Sequence, residues 1–266
     1  MLNLTDTNPW MIVLLYVLTI FILLITLTIH ELGHFTFAKT FKVNVKEFSI
    51  GIGPRLFSKI NKKGIKISVR LIPLAAYVML DSLQLREIYA DDKKDKNYAF
   101  MMKKKPKGTF LLEQVATWKY MLIMFGGVLF NLVLFAILIG PTIALCRHYG
   151  IPDFNPFTSL IESFKEIGYN MVFLGDGDIS GQMGAIATSG YWGLILLTSL
   201  LMMNLITFIF NLIPLPPLDG WKIVSKTYRQ LHHKPVNEKL ETALTIIGLI
   251  IIFWIFVSGI ICDFIN

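Results

Sequence analysis

Five residues, His30-Glu31-Leu32-Gly33-His34, carry the chemistry that this chain offers most plainly. Histidines four positions apart share one face of a helix, so both imidazoles can reach a single metal ion. Glu31 lies beside them and can serve as general base on a water that the metal activates. A catalytic zinc takes three protein ligands and keeps one position open. The candidate third ligand is Asp219, in Asn211-Leu212-Ile213-Pro214-Leu215-Pro216-Pro217-Leu218-Asp219-Gly220. Read alone, Asp219-Gly220 is also a common turn signal after a helix stop. No Cys-x-x-Cys occurs, which excludes a cysteine metal site. Cys146 and Cys262 read as two unpaired buried thiols, with a disulfide between them the alternative.

What must position these residues is a membrane fold. The chain is 54% hydrophobic with a mean hydropathy of +0.60, beyond what a soluble domain of 266 residues ordinarily carries. From Trp10 to Ile29 no residue is charged, and 20 apolar residues are what a helix needs to cross a bilayer. The metal motif follows that run directly. The run has neither a basic leader nor a small-residue cleavage site, so it reads as a span and not as a signal peptide. Four transmembrane helices are expected at about 10–36, 119–144, 191–213 and 241–261, in one domain covering 1–266. An ionisable residue at membrane depth is costly and marks function. The competing reading, histidines merely reaching toward headgroups, suits His34 better than Glu31.

Lysine and arginine placement sets the orientation. Residues 35–117 hold 17 of the 25 basic residues, and residues 214–240 hold five more. The segment 146–190 holds only Arg147 and Lys165, against five acids. The first and third loops are therefore expected in the cytosol and both termini outside. His30, His34 and Asp219 then fall at the same, cytosolic, depth, although nearly 190 positions separate them in sequence. The net charge of +7 reflects this orientation and anionic lipid, with no nucleic-acid partner implied.

Val43–Ile52 and Ile65–Leu74 alternate around Asn61-Lys62-Lys63-Gly64, a turn signal, and predict a β-hairpin in the first loop, 40–117. Its edge could accept an extended peptide as an added strand. Gly51 and Gly53 would permit close backbone approach there, or are ordinary turn glycines. Ser82–Gly108, with Asp91-Asp92-Lys93-Lys94-Asp95-Lys96, reads as a solvated linker or interfacial helix. Asn211 could hold a substrate backbone or an oxyanion, or make a helix–helix hydrogen bond. Asn131, after Gly126-Gly127, raises the same pair of readings, with helix packing favoured.

Together the two motifs resemble the site-2 protease family of intramembrane zinc metalloproteases, in particular its bacterial members that regulate sigma-factor signalling. His30-Glu31-Leu32-Gly33-His34 is similar to the family's metal motif. Asn211 through Gly220 is similar to its second motif, in which the aspartate is the third ligand. Phe48-Ser49-Ile50-Gly51-Ile52-Gly53-Pro54 and Arg70–Val78 resemble the family's membrane-associated β-hairpin, and Gly181–Gly190 resembles the segment before its third span. The chain departs from the pattern in having Ala75-Ala76-Tyr77 for Gly-Gly-Tyr and Gly127-Val128 for Gly-Pro. Its 146–190 segment of 45 residues is too short for the PDZ domain that many relatives carry there. What gates the site in its place is open, with 153–189 a weak suggestion. The resemblance implies one Zn2+ per chain, a bacterial plasma membrane, and single-pass membrane-protein substrates such as anti-sigma factors or signal-peptide remnants. Two rivals remain. A zinc-binding scaffold has no use for Glu31, and a metal transporter needs polar residues through several spans.

Overall fold

The structure is a computed structural model that describes residues 9–91, 98–151, 155–159, 161, 162, 165, 191–232 and 236–265. The run at 92–97, the Gly181–Gly190 segment and most of 153–189 lie outside the described residues. The fold is mostly helical: α1 (Pro9–Thr40), β1 (Val45–Ile60), β2 (Lys66–Leu80), α2 (Leu83–Asp91), α3 (Tyr98–Met101), α4 (Thr117–His148), α5 (Trp192–Leu212), α6 (Asp219–His232) and α7 (Glu238–Ile265).

Among the described residues, three helical stretches are long and apolar enough to cross a membrane: Tyr16–Thr40, Thr117–His148 and Trp192–Leu212. The fourth expected span is a helix, α7, that does not meet that standard within the described residues. In α1, one stripe turns inward at every fourth position: Ile22, Thr26, His30, His34 and Ala38 are buried. Val13, Val17 and Phe21 face outward, as lipid contact requires. Threonine hydroxyls that would otherwise stay unpaired in an apolar medium bond back to their own helix, Thr28 to the Leu24 carbonyl and Thr36 to that of Leu32. Lys42, at φ 60°, ends the helix as Val43 N–H donates to the Ala38 carbonyl at 2.8 Å.

Among the described residues, two cores hold the bundle. Ala38, Val43, Val45, Ile65, Ile123 and Met124 lock the end of α1 to the hairpin base and α4. Phe135, Leu201 and Leu205 join α4 to α5. Gly33 and Gly126 bring α1 and α4 together so closely that a β-carbon on Gly33 would collide with the Gly126 carbonyl. Small residues permit this approach where lipid gives no hydrophobic drive between helices.

The hairpin turns where expected: Asn61 Oδ1 accepts from the N–H groups of Lys63 and Ile65, and Gly64 takes φ 77°. Its strands are longer than the alternation indicates, because the antiparallel ribbon doubles over. Phe48 faces both Val78 and Ile67, and Ser49 faces both Tyr77 and Ser68. Gly51 and Gly53, at φ 85° and 82°, make the bend, and a β-carbon at Gly51 would lie 2.8 Å from the Arg70 carbonyl oxygen. The fold-over encloses Glu47, whose Oε1 accepts from Ser68, Arg70 and Tyr77. Asp81, also fully buried, accepts from Asn44 and from Nε and Nη2 of Arg86, each at 2.8 Å. Leu56, Phe57, Ile60 and Leu71 stay exposed on the ribbon.

Candidate metal centre

His30 and His34 reach the interior on the buried stripe of α1. Asp219 arrives by another route. Three prolines cannot continue α5, and after Leu212 the chain turns through Ile213–Leu218. Gly220 packs against the Leu212 and Ile213 carbonyls so tightly that a β-carbon there would meet both within 2.6 Å. Asp219 does not sit in a turn, as Asp-Gly suggests. It opens α6, where a carboxylate suits the positive helix end.

The three side chains converge. Asp219 Oδ2 lies 2.8 Å from His30 Nε2 and 2.8 Å from His34 Nε2, and the two nitrogens are 3.1 Å apart. All three residues are buried. His34 Nδ1 lies 2.8 Å from the Ile123 carbonyl oxygen, an acceptor only, so Nδ1 carries a proton, and in the neutral ring Nε2 turns its lone pair inward. Two ring nitrogens and a carboxylate oxygen at these separations need a metal ion or protons between them. Tetrahedral zinc ligands at about 2.0–2.1 Å from the ion stand roughly 3.3 Å apart. The triangle fits after opening by a few tenths of an ångström, and the donor set suits zinc.

The surroundings hold the triangle in place. A β-carbon added at Gly127 would lie 2.5 Å from His34 Nε2 and 2.6 Å from His30 Nε2, so only glycine leaves room there. Lys222 Nζ donates to the second Asp219 oxygen, Oδ1, at 2.8 Å, leaving Oδ2 to the histidines. Burial pushes the Asp219 carboxyl up, but the histidines and Lys222 outweigh it and hold the group well below the usual carboxylate range. Burial likewise lowers the Lys222 ammonium, and the Asp219 carboxylate overrides that and raises it.

Glu31 is fixed by a partner that sequence gives no sign of. Its Oε2 accepts the backbone N–H of Val78 in β2 at 2.8 Å. A cavity of about 520 Å³ opens alongside, lined by Val78, Tyr120, Pro217, Trp221, Lys222 and Glu241 among others. It touches both the strand that holds Glu31 and the lysine that holds Asp219.

Of the other candidates, one joins the cluster and the rest fall elsewhere. The Asn211 amide donates to the Thr207 carbonyl of its own helix at 3.0 Å. Gly51 and Gly53 form the hairpin bend. Asn131, fully buried on α4, reaches the cluster, with its amide nitrogen 3.4 Å from His30 Nδ1. Cys146 is a free, buried thiol.

A family model described as Peptidase family M50 matches residues 18–255. The chain belongs to peptidase family M50. This is the family that the paired motifs resemble, that of the site-2 proteases. Three relatives carrying the name "Putative zinc metalloprotease" match within it. One from Thermotoga maritima is 36% identical over 121 residues, 44% of this chain and 21% of that protein. One from Helicobacter pylori is 34% identical over 126 residues, 47% and 31% of the two chains. One from Streptococcus pneumoniae is 45% identical over 56 residues, 21% and 13%. In each case the chain spans less than a third of the relative's length.

Proposed function

We propose that this chain is an intramembrane zinc metalloprotease that hydrolyses peptide bonds in or near the transmembrane segments of single-pass membrane proteins. The observation that carries this reading is the convergence of His30 Nε2, His34 Nε2 and Asp219 Oδ2 within about 3 Å, with Glu31 on the same helix turn. His30, His34 and Asp219 would hold one zinc ion per chain, which when bound would supply a Lewis acid to polarise the scissile carbonyl and acidify water.

Glu31 moves the proton. Its Oε2 is engaged by Val78 N–H, so Oε1 is the basic atom. Oε1 takes a proton from the attacking water as oxygen bonds to the carbonyl carbon, then returns it to the amide nitrogen as the C–N bond breaks. Lys222 occupies Asp219 Oδ1, which would leave Oδ2 as the atom offered to a metal. A helical substrate must unwind first, because helix hydrogen bonds hide its scissile bond. The cavity beside Val78 and Lys222 suits an unwound segment. The exposed apolar side chains of the hairpin suit a ribbon that rests in the bilayer. In this reading α7 is the fourth span, the first and third loops are cytosolic, and the site lies near the cytosolic face.

The test is a tagged single-pass reporter reconstituted with the chain in proteoliposomes made in H2(18)O. The expected result is one cut carrying a single heavy oxygen at the new carboxyl terminus, absent in Glu31→Gln. An unlabelled product, or an equal rate in Glu31→Gln, overturns the mechanism. Zinc flux into sealed vesicles without cleavage favours transport instead.

A further inference from the structure

We propose that Asn131 is a positioning residue for His30: its Oδ1 accepts the Nδ1–H of the imidazole, which turns a bare Nε2 toward the metal. This rests on the metal-centre reading above and extends it to a residue outside the ligand set.

A neutral imidazole carries one proton. When Nε2 binds a metal, that proton sits on Nδ1 and needs an acceptor. For His34 the acceptor is the Ile123 carbonyl at 2.8 Å. Among the described residues, no carbonyl takes that place for His30. The polar group at its Nδ1 is the Asn131 amide at 3.4 Å, eight residues and about two helical turns further along α4. One helix therefore meets the outer nitrogen of both histidines.

The amide stands with Nδ2 toward Nδ1. In that pose it donates, which leaves Nδ1 as acceptor and puts the His30 proton on Nε2, directed at Asp219 Oδ2 at 2.8 Å. That tautomer cannot bind a metal through Nε2. A half-turn of the amide exchanges two atoms of nearly equal shape and reverses the polarity. Asn131 is free to make this turn. Its Oδ1 is buried and has no hydrogen-bond partner among the described residues, so turning it breaks nothing on the oxygen side. An amide suits this place better than a carbonyl or a hydrocarbon. It can present either its nitrogen or its oxygen to His30, and with a metal on Nε2 the oxygen is the atom that fits. A residue serving helix packing alone would have no reason to aim its polar end at a ligand.

The test is zinc affinity, measured by competition with a chromophoric chelator on full-length protein in detergent. The variants are Asn131→Leu, which keeps the branched shape and removes both polar atoms, and Asn131→Asp, which keeps only the acceptor. Thermal unfolding of the chelated proteins reports folding separately. Loss of an outer-shell partner is expected to weaken zinc roughly 10- to 100-fold in Asn131→Leu. Asn131→Asp is expected to restore the affinity to about the wild-type value or better, since a carboxylate is the stronger acceptor. Wild-type affinity in Asn131→Leu overturns the proposal. Equal weakening in both variants also overturns it, because Asn131 would then act as a donor or as packing. If Asn131→Leu does not fold, Asn131→Asp decides alone: a loss comparable to removing a ligand refutes the acceptor role. Failure of the wild-type chain to bind zinc would instead refute the metal centre itself.

Discussion

Gly127 offers a sharp test, because the space it leaves is the space the metal needs. An alanine there places its β-carbon 2.5 Å from His34 Nε2 and 2.6 Å from His30 Nε2, whereas ordinary van der Waals contact begins at 3.4 Å. Each ligand nitrogen must retreat by almost 1 Å, or α4 must withdraw. Withdrawing α4 from α1 would open the close contact of Gly126 with Gly33 and Phe37. Zinc distances tolerate about 0.2 Å. Overpacking a tight site costs about 1–3 kcal/mol. If that strain falls on the metal-ready arrangement, zinc weakens by roughly 5- to 150-fold. The assay is chelator competition on Gly127→Ala, with Gly140→Ala as control. Gly140 lies on the same helix with no atom within 4 Å of its added β-carbon, and alanine there should leave zinc binding unchanged. Wild-type zinc affinity in Gly127→Ala would show that the imidazoles do not face Gly127 as described.

Other perturbations separate the roles within the site. Glu31→Gln keeps all three ligands, so it should bind zinc normally and lose hydrolysis; substantial remaining cleavage refutes the base assignment. Asp219→Ala removes a ligand and should lower the zinc content of purified protein; stoichiometric zinc would rule Asp219 out. The hairpin carries a pH signature. Burial raises the Asp81 and Glu47 carboxyls, but Arg86 and Asn44 on one, and Ser68 and Arg70 on the other, outweigh it and hold both below their ordinary values. Near pH 4 the unfolded chain therefore binds more protons than the folded one. The stability these groups give is complete above their ordinary values and is lost as pH falls through the depressed ones. Asp81→Asn should flatten the fall of the unfolding temperature below about pH 4, and an unchanged slope would refute the linkage.

Much of the site could be read from the sequence, because its chemistry resides in side chains with a fixed spacing. The uncharged run before His30 and the proline stop before Asp219 carry helix length and helix end directly. The start of α6 was hidden because Asp-Gly after three prolines reads as a turn. The signal that could have revealed it is an acidic first residue followed by Trp221, Val224, Tyr228 and Leu231 at helical spacing. The partners of Glu31 and His34 could not be read at all. Both are backbone groups, Val78 N–H and the Ile123 carbonyl, which every residue type carries alike. The doubling of the hairpin was equally silent, since it depends on which strand halves meet and not on alternation. The sequence leaves Gly51 and Gly53 as room for a ligand or as turn glycines, and the positive φ values show that the bend itself requires them.

The central claim is metal-dependent hydrolysis at His30, His34, Asp219 and Glu31. The most direct measurement is cleavage of a single-pass reporter in proteoliposomes after zinc removal by a chelator and again after zinc is restored, in the wild type and in Glu31→Gln. The account predicts that wild-type cleavage stops on chelation and returns with zinc, and that Glu31→Gln stays inactive while binding the same zinc. Cleavage that persists without metal, or returns with zinc in Glu31→Gln, would contradict it.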